Sequence, residues 1–225
     1  MHIYNTYDFG HRQRFGITFE LHENPKYYEG YCLHGSVCLW VFAKCIGDMA
    51  YGVSLSNEGW ITVEDVLKRS ASHSCSEEVF HADAELIVQT FESDMDNYIN
   101  DIVKENCFGF VGTFDFWDAF RVELDLDIMQ EYVIFHFEHA NQARLIIATY
   151  DHTKEHGAYE FKSEHMLEVG ELRAVFQEAF DWLCERYEQE VARENKSTQR
   201  CLFSKNVLCH ENRHMESQTE TQCRP

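Results

Sequence analysis

Phe15-Gly16-Ile17-Thr18-Phe19-Glu20-Leu21, followed by Cys38-Leu39-Trp40-Val41-Phe42-Ala43-Lys44-Cys45-Ile46-Gly47-Asp48, is the part of this 225-residue chain that decides its fold. Successive side chains of a strand point to opposite faces, so the first run places Phe15, Ile17, Phe19 and Leu21 on one side and Gly16, Thr18 and Glu20 on the other. One face must be buried. The second run is apolar on both faces until it breaks at Gly47-Asp48, a favoured turn composition. It therefore predicts a central strand entering a tight turn, with Trp40 and Phe42 in the core and Asp48 capping its own backbone.

Downstream, Thr62 with Asp65 three residues on predicts a short helix, in the manner of a capping box. Ser76-Glu77-Glu78 opens a stronger helix, with a cap, acids in its first turn, and Val79, Phe80, Leu86, Ile87 and Phe91 at helical spacing. A third helix is predicted through Met95, Tyr98, Ile99, Ile102 and Val103. From Phe108 the period changes to two. Val122-Glu123-Leu124-Asp125-Leu126-Asp127-Ile128 alternates apolar with acidic residues at every step, and residues 132–138, 144–150 and 158–161 follow as strands joined by connections of hairpin length. A closing helix over residues 171–191 carries Leu172, Val175, Phe176, Ala179, Phe180, Leu183 and Tyr187 along one stripe. Strands grouped with strands and helices with helices predict an α+β domain: an antiparallel β-sheet, a meander, with helices packed on it and a long C-terminal helix. Beyond Asn195 the chain turns polar, so the expected division is one domain over 1–195 and a disordered tail over 196–225.

With 44% hydrophobic and 14% aromatic residues the chain can bury a sizeable core, and its length fits one domain better than two. The formal net charge is −20 and uneven, since residues from Lys196 onward hold five Lys or Arg against three Asp or Glu. The body therefore carries a field that opposes nucleic acid and anionic membranes and favours a basic partner, besides keeping the protein soluble. Nine cysteines leave at least one thiol unpaired in any intramolecular scheme. The first residues lack a basic region followed by an apolar run, and no stretch approaches the roughly 20 apolar residues of a membrane span. The expectation is a cytoplasmic protein with reduced thiols serving as small hydrophobes.

Motifs for chemistry are sparse. No C-x-x-C pair supports a zinc site, and Cys201, Cys209, His210 and His214 in the tail lack the apolar residues to hold one, so no metal and no cofactor are expected. G-x-S-x-G, G-x-x-x-x-G-K-[ST] and G-x-G-x-x-G are all absent. Asp115, Asp118, Glu123, Asp125 and Asp127 offer carboxylates for acid-base work, which keeps open a hydrolase of unknown specificity using carboxylates or histidines on the sheet. The same acids serve better as a recognition surface, in which Glu123, Asp125, Asp127 and Asp118 supply charge and Trp117, Phe116 and Tyr132 supply apolar anchors.

The opening motifs also carry a resemblance. The strand 15–21, Asn24, Cys38-Leu39-Trp40, Ile46-Gly47-Asp48, Gly52, Ser54, Leu55 and Asp65-Val66-Leu67 resemble immunity protein family 42 of bacterial polymorphic toxin systems. A second patch, Ala143-Arg144-Leu145-Ile146 with Leu167 and Gly170-Glu171 before the long helix, resembles the family near the other end of a domain over about 3–194. Two departures stand out: Phe42-Ala43-Lys44 occupies the place of a Gly-containing hairpin turn, and residues 56–64 look like an insertion. The resemblance implies a non-enzymatic protein that binds and neutralises one cognate secreted toxin in the cytoplasm. Phe15, Glu20, Trp40, Gly47, Asp48, Gly52 and Leu55 would then be motif residues of the fold rather than contacts.

Overall fold

A computed structural model of the chain describes residues 4–22, 33–49, 52–55, 60–70, 73–100, 102–110, 115–122, 131–153 and 158–197. The order of elements is β1 (Tyr4–Gly10), β2 (Phe15–His22), β3 (His34–Val41), β4 (Lys44–Ile46), β5 (Val53–Ser54), α1 (Trp60–Ser70), α2 (Glu77–His81), α3 (Ala84–Ile99), α4 (Asp115–Phe120), β6 (Tyr132–His139), β7 (Gln142–Asp151), β8 (Ala158–Glu168) and α5 (Glu171–Ser197). The fold is α+β. Two antiparallel sheets carry it: β1-β2-β3-β4, with β5 also paired to β3, and the meander β6-β7-β8. One compact unit runs from Met1 to Tyr187, and Glu188–Pro225 form a second.

The alternation in β2 fixes the first sheet. Phe15, Ile17 and Phe19 pair with Val41, Leu39 and Val37 of β3, and Ile17 and Phe19 pair with Phe9 and Tyr7 of β1. These residues join Leu145 and Ile147 of β7, Val63 and Val66 of α1, and Leu172, Val175, Phe176, Ala179 and Leu183 of α5 in one core. The opposite face of β6-β7-β8 presents Val133, Phe135, Phe137, Ile146 and Ala148 to Val79 and Phe80 of α2, Ile87, Val88 and Phe91 of α3, and Phe116 and Phe120 of α4. The second sheet is thus buried on both faces, which explains why β6 and β7 read as continuous apolar runs.

Several boundaries differ from the sequence expectation, each for a local reason. The apolar run 38–48 is two strands, because Phe42 and Ala43 both take positive φ (48° and 67°) and turn the chain in a two-residue hairpin, from which Phe42 projects 41% exposed instead of entering the core. The helix expected from Ser76 breaks after His81: Ser76 caps α2, and Asp83 caps α3 by accepting N–H bonds from Glu85 and Leu86 at 2.9 and 3.1 Å. Arg144, almost fully buried, donates from Nη1 to the carbonyls of Phe80 and Ala82 at 2.7 and 2.6 Å, satisfying backbone groups left by that break. Helix α3 then continues without interruption to Ile99, leaving Ile102 and Val103 beyond its end. Residues 115–120 form a helix where a period of two was expected. The alternating stretch 123–128 lies outside the described residues, as does the tail from 198 onward.

Candidate functional site

The motif residues sit in and beside the first core. Phe15 and Leu55 are fully buried in it, and Gly35 admits Leu55, because a Cβ there would meet Glu20 O at 2.0 Å and Leu55 Cδ1 at 2.8 Å. Gly52 is required by the ring of His34, whose Cε1 lies 2.4 Å from where a Cβ would stand. Gly47 takes φ 106°, a left-handed conformation that suits glycine, and Asp48 is exposed directly after it. Glu20 faces outward between Thr6 and Ser36, its partners in the neighbouring strands.

Trp40 lies on the outer face of β3, half-buried rather than in the core. Its indole N–H donates to Thr18 Oγ1 at 2.8 Å, Thr18 donates in turn to Asp8 Oδ1 at 2.5 Å, and Arg12 donates to the same oxygen at 2.7 Å while its guanidinium lies 4.8 Å from the Trp40 ring centre. Partial burial raises the Asp8 carboxyl, but the Arg12 and Thr18 bonds outweigh it and hold the group below its ordinary value. Arg14 makes the matching tie on the other side, with Nε and Nη2 2.6 and 2.7 Å from the two oxygens of Glu171 at the start of α5. Glu171 also accepts from Glu168 N–H, and Gly170, at φ 77°, donates to Glu138 Oε1 at 2.8 Å. The Gly170-Glu171 motif therefore anchors the long helix to both sheets. Sequence reading singled out Gly170, Glu171 and Trp40 but missed Asp8, Arg12 and Arg14, which carry no local signal.

The enzyme-like cluster of the fold is a histidine pair. His73 Nδ1 and His136 Nδ1 are 2.7 Å apart, both rings are buried, and His136 Nε2 lies 3.8 Å from Glu138 Oε1. Burial lowers His73 to about 4 and His136 to about 3, so both are neutral near pH 7 and one must donate to the other. Their Nε2 atoms are enclosed. The pair thus closes a joint between the segment before α2 and β6, where Cys75 N–H donates to Glu138 O and Glu138 N–H donates to His73 O. Among the described residues no group of three or more His, Cys, Asp or Glu is placed to hold a metal ion. The described cysteines are Cys38, buried, Cys45, Cys75 and Cys184, half-buried, and Cys107, exposed. Burial raises the thiol of Cys38 and takes that of Cys75 to about 11, keeping both protonated.

Of the residues expected to recognise a partner, Trp117 and Asp118 lie on α4, in the helical layer over β6-β7-β8, and Glu123, Asp125 and Asp127 lie outside the described residues. Phe116, expected as an exposed anchor, is fully buried: it packs on Phe108 and Phe110 at 5.4 Å between ring centres and on Phe135 and Phe137 beneath. The stretch holding α2 and α3 is strongly acidic. Residues 77–105 hold nine of the 39 acidic side chains and one of the 19 basic ones. No helix among the described residues is long and apolar enough to cross a membrane.

No curated protein matches the sequence. The solved structure of CdiI from Burkholderia dolosa AUO158 is similar in fold, with a TM-score of 0.51 and 15% identity over 78% of this chain and 99% of that one. Residues 3–182, which include both motif patches and everything between them, match the family described as immunity protein 42. The chain belongs to the immunity protein 42 family.

Proposed function

We propose that this protein is a non-enzymatic immunity protein that binds and neutralises one cognate secreted toxin in the cytoplasm, through an acidic surface. Membership of the immunity protein 42 family is the observation that carries this reading. A net charge of −20 supports a basic partner, by speeding encounter and by penalising wrong pairings, and it disfavours nucleic acid and anionic membranes. Trp117 and Asp118 on α4, with Glu123, Asp125 and Asp127 after it, are contact candidates. The proposed domain is residues 1–195, and removal of 196–225 is expected to leave its fold and melting temperature unchanged.

The purified chain, titrated against the toxin domain encoded beside its gene at low and raised salt, tests this. One-to-one binding that weakens as salt rises, together with loss of the toxin's activity at equimolar protein, is the expected result. Absence of binding at either salt would leave family membership as a statement about fold alone.

A further inference from the structure

Helix α3 has two faces. Ile87, Val88 and Phe91 pack into the core beneath, while Leu86, Gln89, Ser93 and Asn97, at steps of three and four residues, line an open trough whose far wall is formed by residues 104–107. The trough holds about 280 Å³. That is at the small end of ligand sites and suits a side chain reaching in from another protein. Within it lies Asp94, 3% exposed. Its Oδ2 accepts from Asn106 Nδ2 at 2.9 Å, and among the described residues no lysine or arginine pairs with it. A buried carboxylate held by one amide has much of its lost hydration uncompensated, and burial accordingly raises its pKa, which the Asn106 bond only partly counters.

Beside the trough the surface changes character. Tyr98, Ile99, Ile102 and Val103 are 49, 69, 49 and 81% exposed, four large apolar side chains within six residues, and Leu86 adds a fifth at the trough itself. Scattered apolar residues on a surface are ordinary, but a cluster of this kind rimmed by charge marks an interaction site. The sequence around it is acidic, with Glu85, Glu92, Asp96 and Glu105 against Lys104 alone. An apolar centre with a charged rim is the anatomy of a protein interface. A second copy of this chain would bring a like charge of −20 to it, so a basic protein is the complementary occupant.

Resting on the immunity reading above, we propose that the trough on α3, together with the exposed Tyr98 and Ile99 at the end of that helix and Ile102 and Val103 just after it, is where the basic toxin domain docks, one of its lysines or arginines entering the trough toward Asp94. The apolar residues supply the desolvated centre of the contact, and the acids around them set orientation and rate of encounter.

The test titrates the full chain and its variants against the toxin domain encoded beside the gene, with circular dichroism and melting temperature as controls on folding. Ile99→Asp and Val103→Asp change exposed side chains and are expected to keep the wild-type melting temperature while weakening binding at least tenfold. Asp94→Asn keeps the shape of the site, and a loss of affinity of about tenfold together with a shallower salt dependence is expected. Wild-type binding reports the immunity reading, and the variants report the docking face. If the wild type binds and all three variants bind within twofold of it, the docking face is wrong while the immunity reading stands, and loss of binding in Glu123→Gln/Asp125→Asn/Asp127→Asn would move the contact to the segment after α4. If the wild type does not bind, both fall together.

Discussion

The two cores of this protein differ in kind. The one shared by β1–β4, α1, α5 and the inner face of β6-β7-β8 is built from aliphatic and aromatic side chains at positions that alternate cleanly with polar ones, and the family motifs lie in and around it. The other, under α2–α4, is rich in phenylalanine but is bordered by polar groups that are themselves buried: Arg144 reaching the end of α2, the His73 and His136 pair, and Asp94 beside the trough. The first surrounds its motifs with dense packing, so substitutions there report stability. The second lies under a strongly acidic stretch and beside Leu86, Tyr98, Ile99, Ile102 and Val103, five of the large apolar side chains that are exposed, which is why the proposed docking surface lies there.

The sharpest test of this contrast removes a ring from the first core. Phe19 is fully buried, 5.5 Å from and nearly parallel to Trp182 of α5, and Phe19→Ala is expected to cost about 3–5 kcal/mol in urea unfolding. A loss below about 1 kcal/mol would mean that the sheet and the helix are not held together there. The polar joint of the second region is tested by acid. Because burial lowers His73 to about 4 and His136 to about 3, the fold binds fewer protons than the unfolded chain below pH 6.5, so stability is fully present above that value and falls as the pH drops toward the folded-state values. Each group accounts for on the order of 3 kcal/mol at the acid end, and a variant with His136→Leu should show a flatter profile of melting temperature against pH between 6.5 and 4.

Arg144→Met leaves the carbonyls of Phe80 and Ala82 without their donor and frees Glu164 of its partner, for an expected loss of about 2–3 kcal/mol, with hydrogen exchange rising first in α2. Gly52→Ala forces the His34 ring aside and should cost about 1–3 kcal/mol, although no contact is removed. The smallest effect has the opposite sign. Ala43 stands at φ 67° in the β3–β4 hairpin, and Ala43→Gly is expected to raise stability by about 0.5 kcal/mol, the relief of left-handed strain exceeding the added chain entropy. A loss of stability instead would show that the bonds from Phe42 N–H and Ala43 N–H to Arg14 and Arg12 already remove the strain.

Much of this was legible in the chain itself. The alternation at 15–21, the caps at Ser76, the hairpin strands from 132 onward and the stripe of α5 are short-range patterns, and each starts within a few residues of the expected place, although β8, expected to end at Phe161, runs on to Glu168. Misreadings arose where two periods overlap or where a distant group intervenes. Phe116 and Trp117 sit in a stretch whose aromatic content reads equally as strand or helix, and helix won because Phe116 and Phe120 both reach Phe137. Phe42 reads as core from its neighbours, yet a hairpin held by Arg12 and Arg14 turns it outward onto His165, 4.3 Å away.

The sequence by itself determined the fold class, the buried face of β2 and the acidity that favours a basic partner, because periodicity and charge are properties of local composition. Only the tertiary structure decided that Arg144 ends a helix 62 residues earlier, that Arg14 binds Glu171 across 157 residues, and that Asp94 is buried beside an open trough. These are contacts between residues distant along the chain, and packing, not sequence neighbours, sets which of them meet.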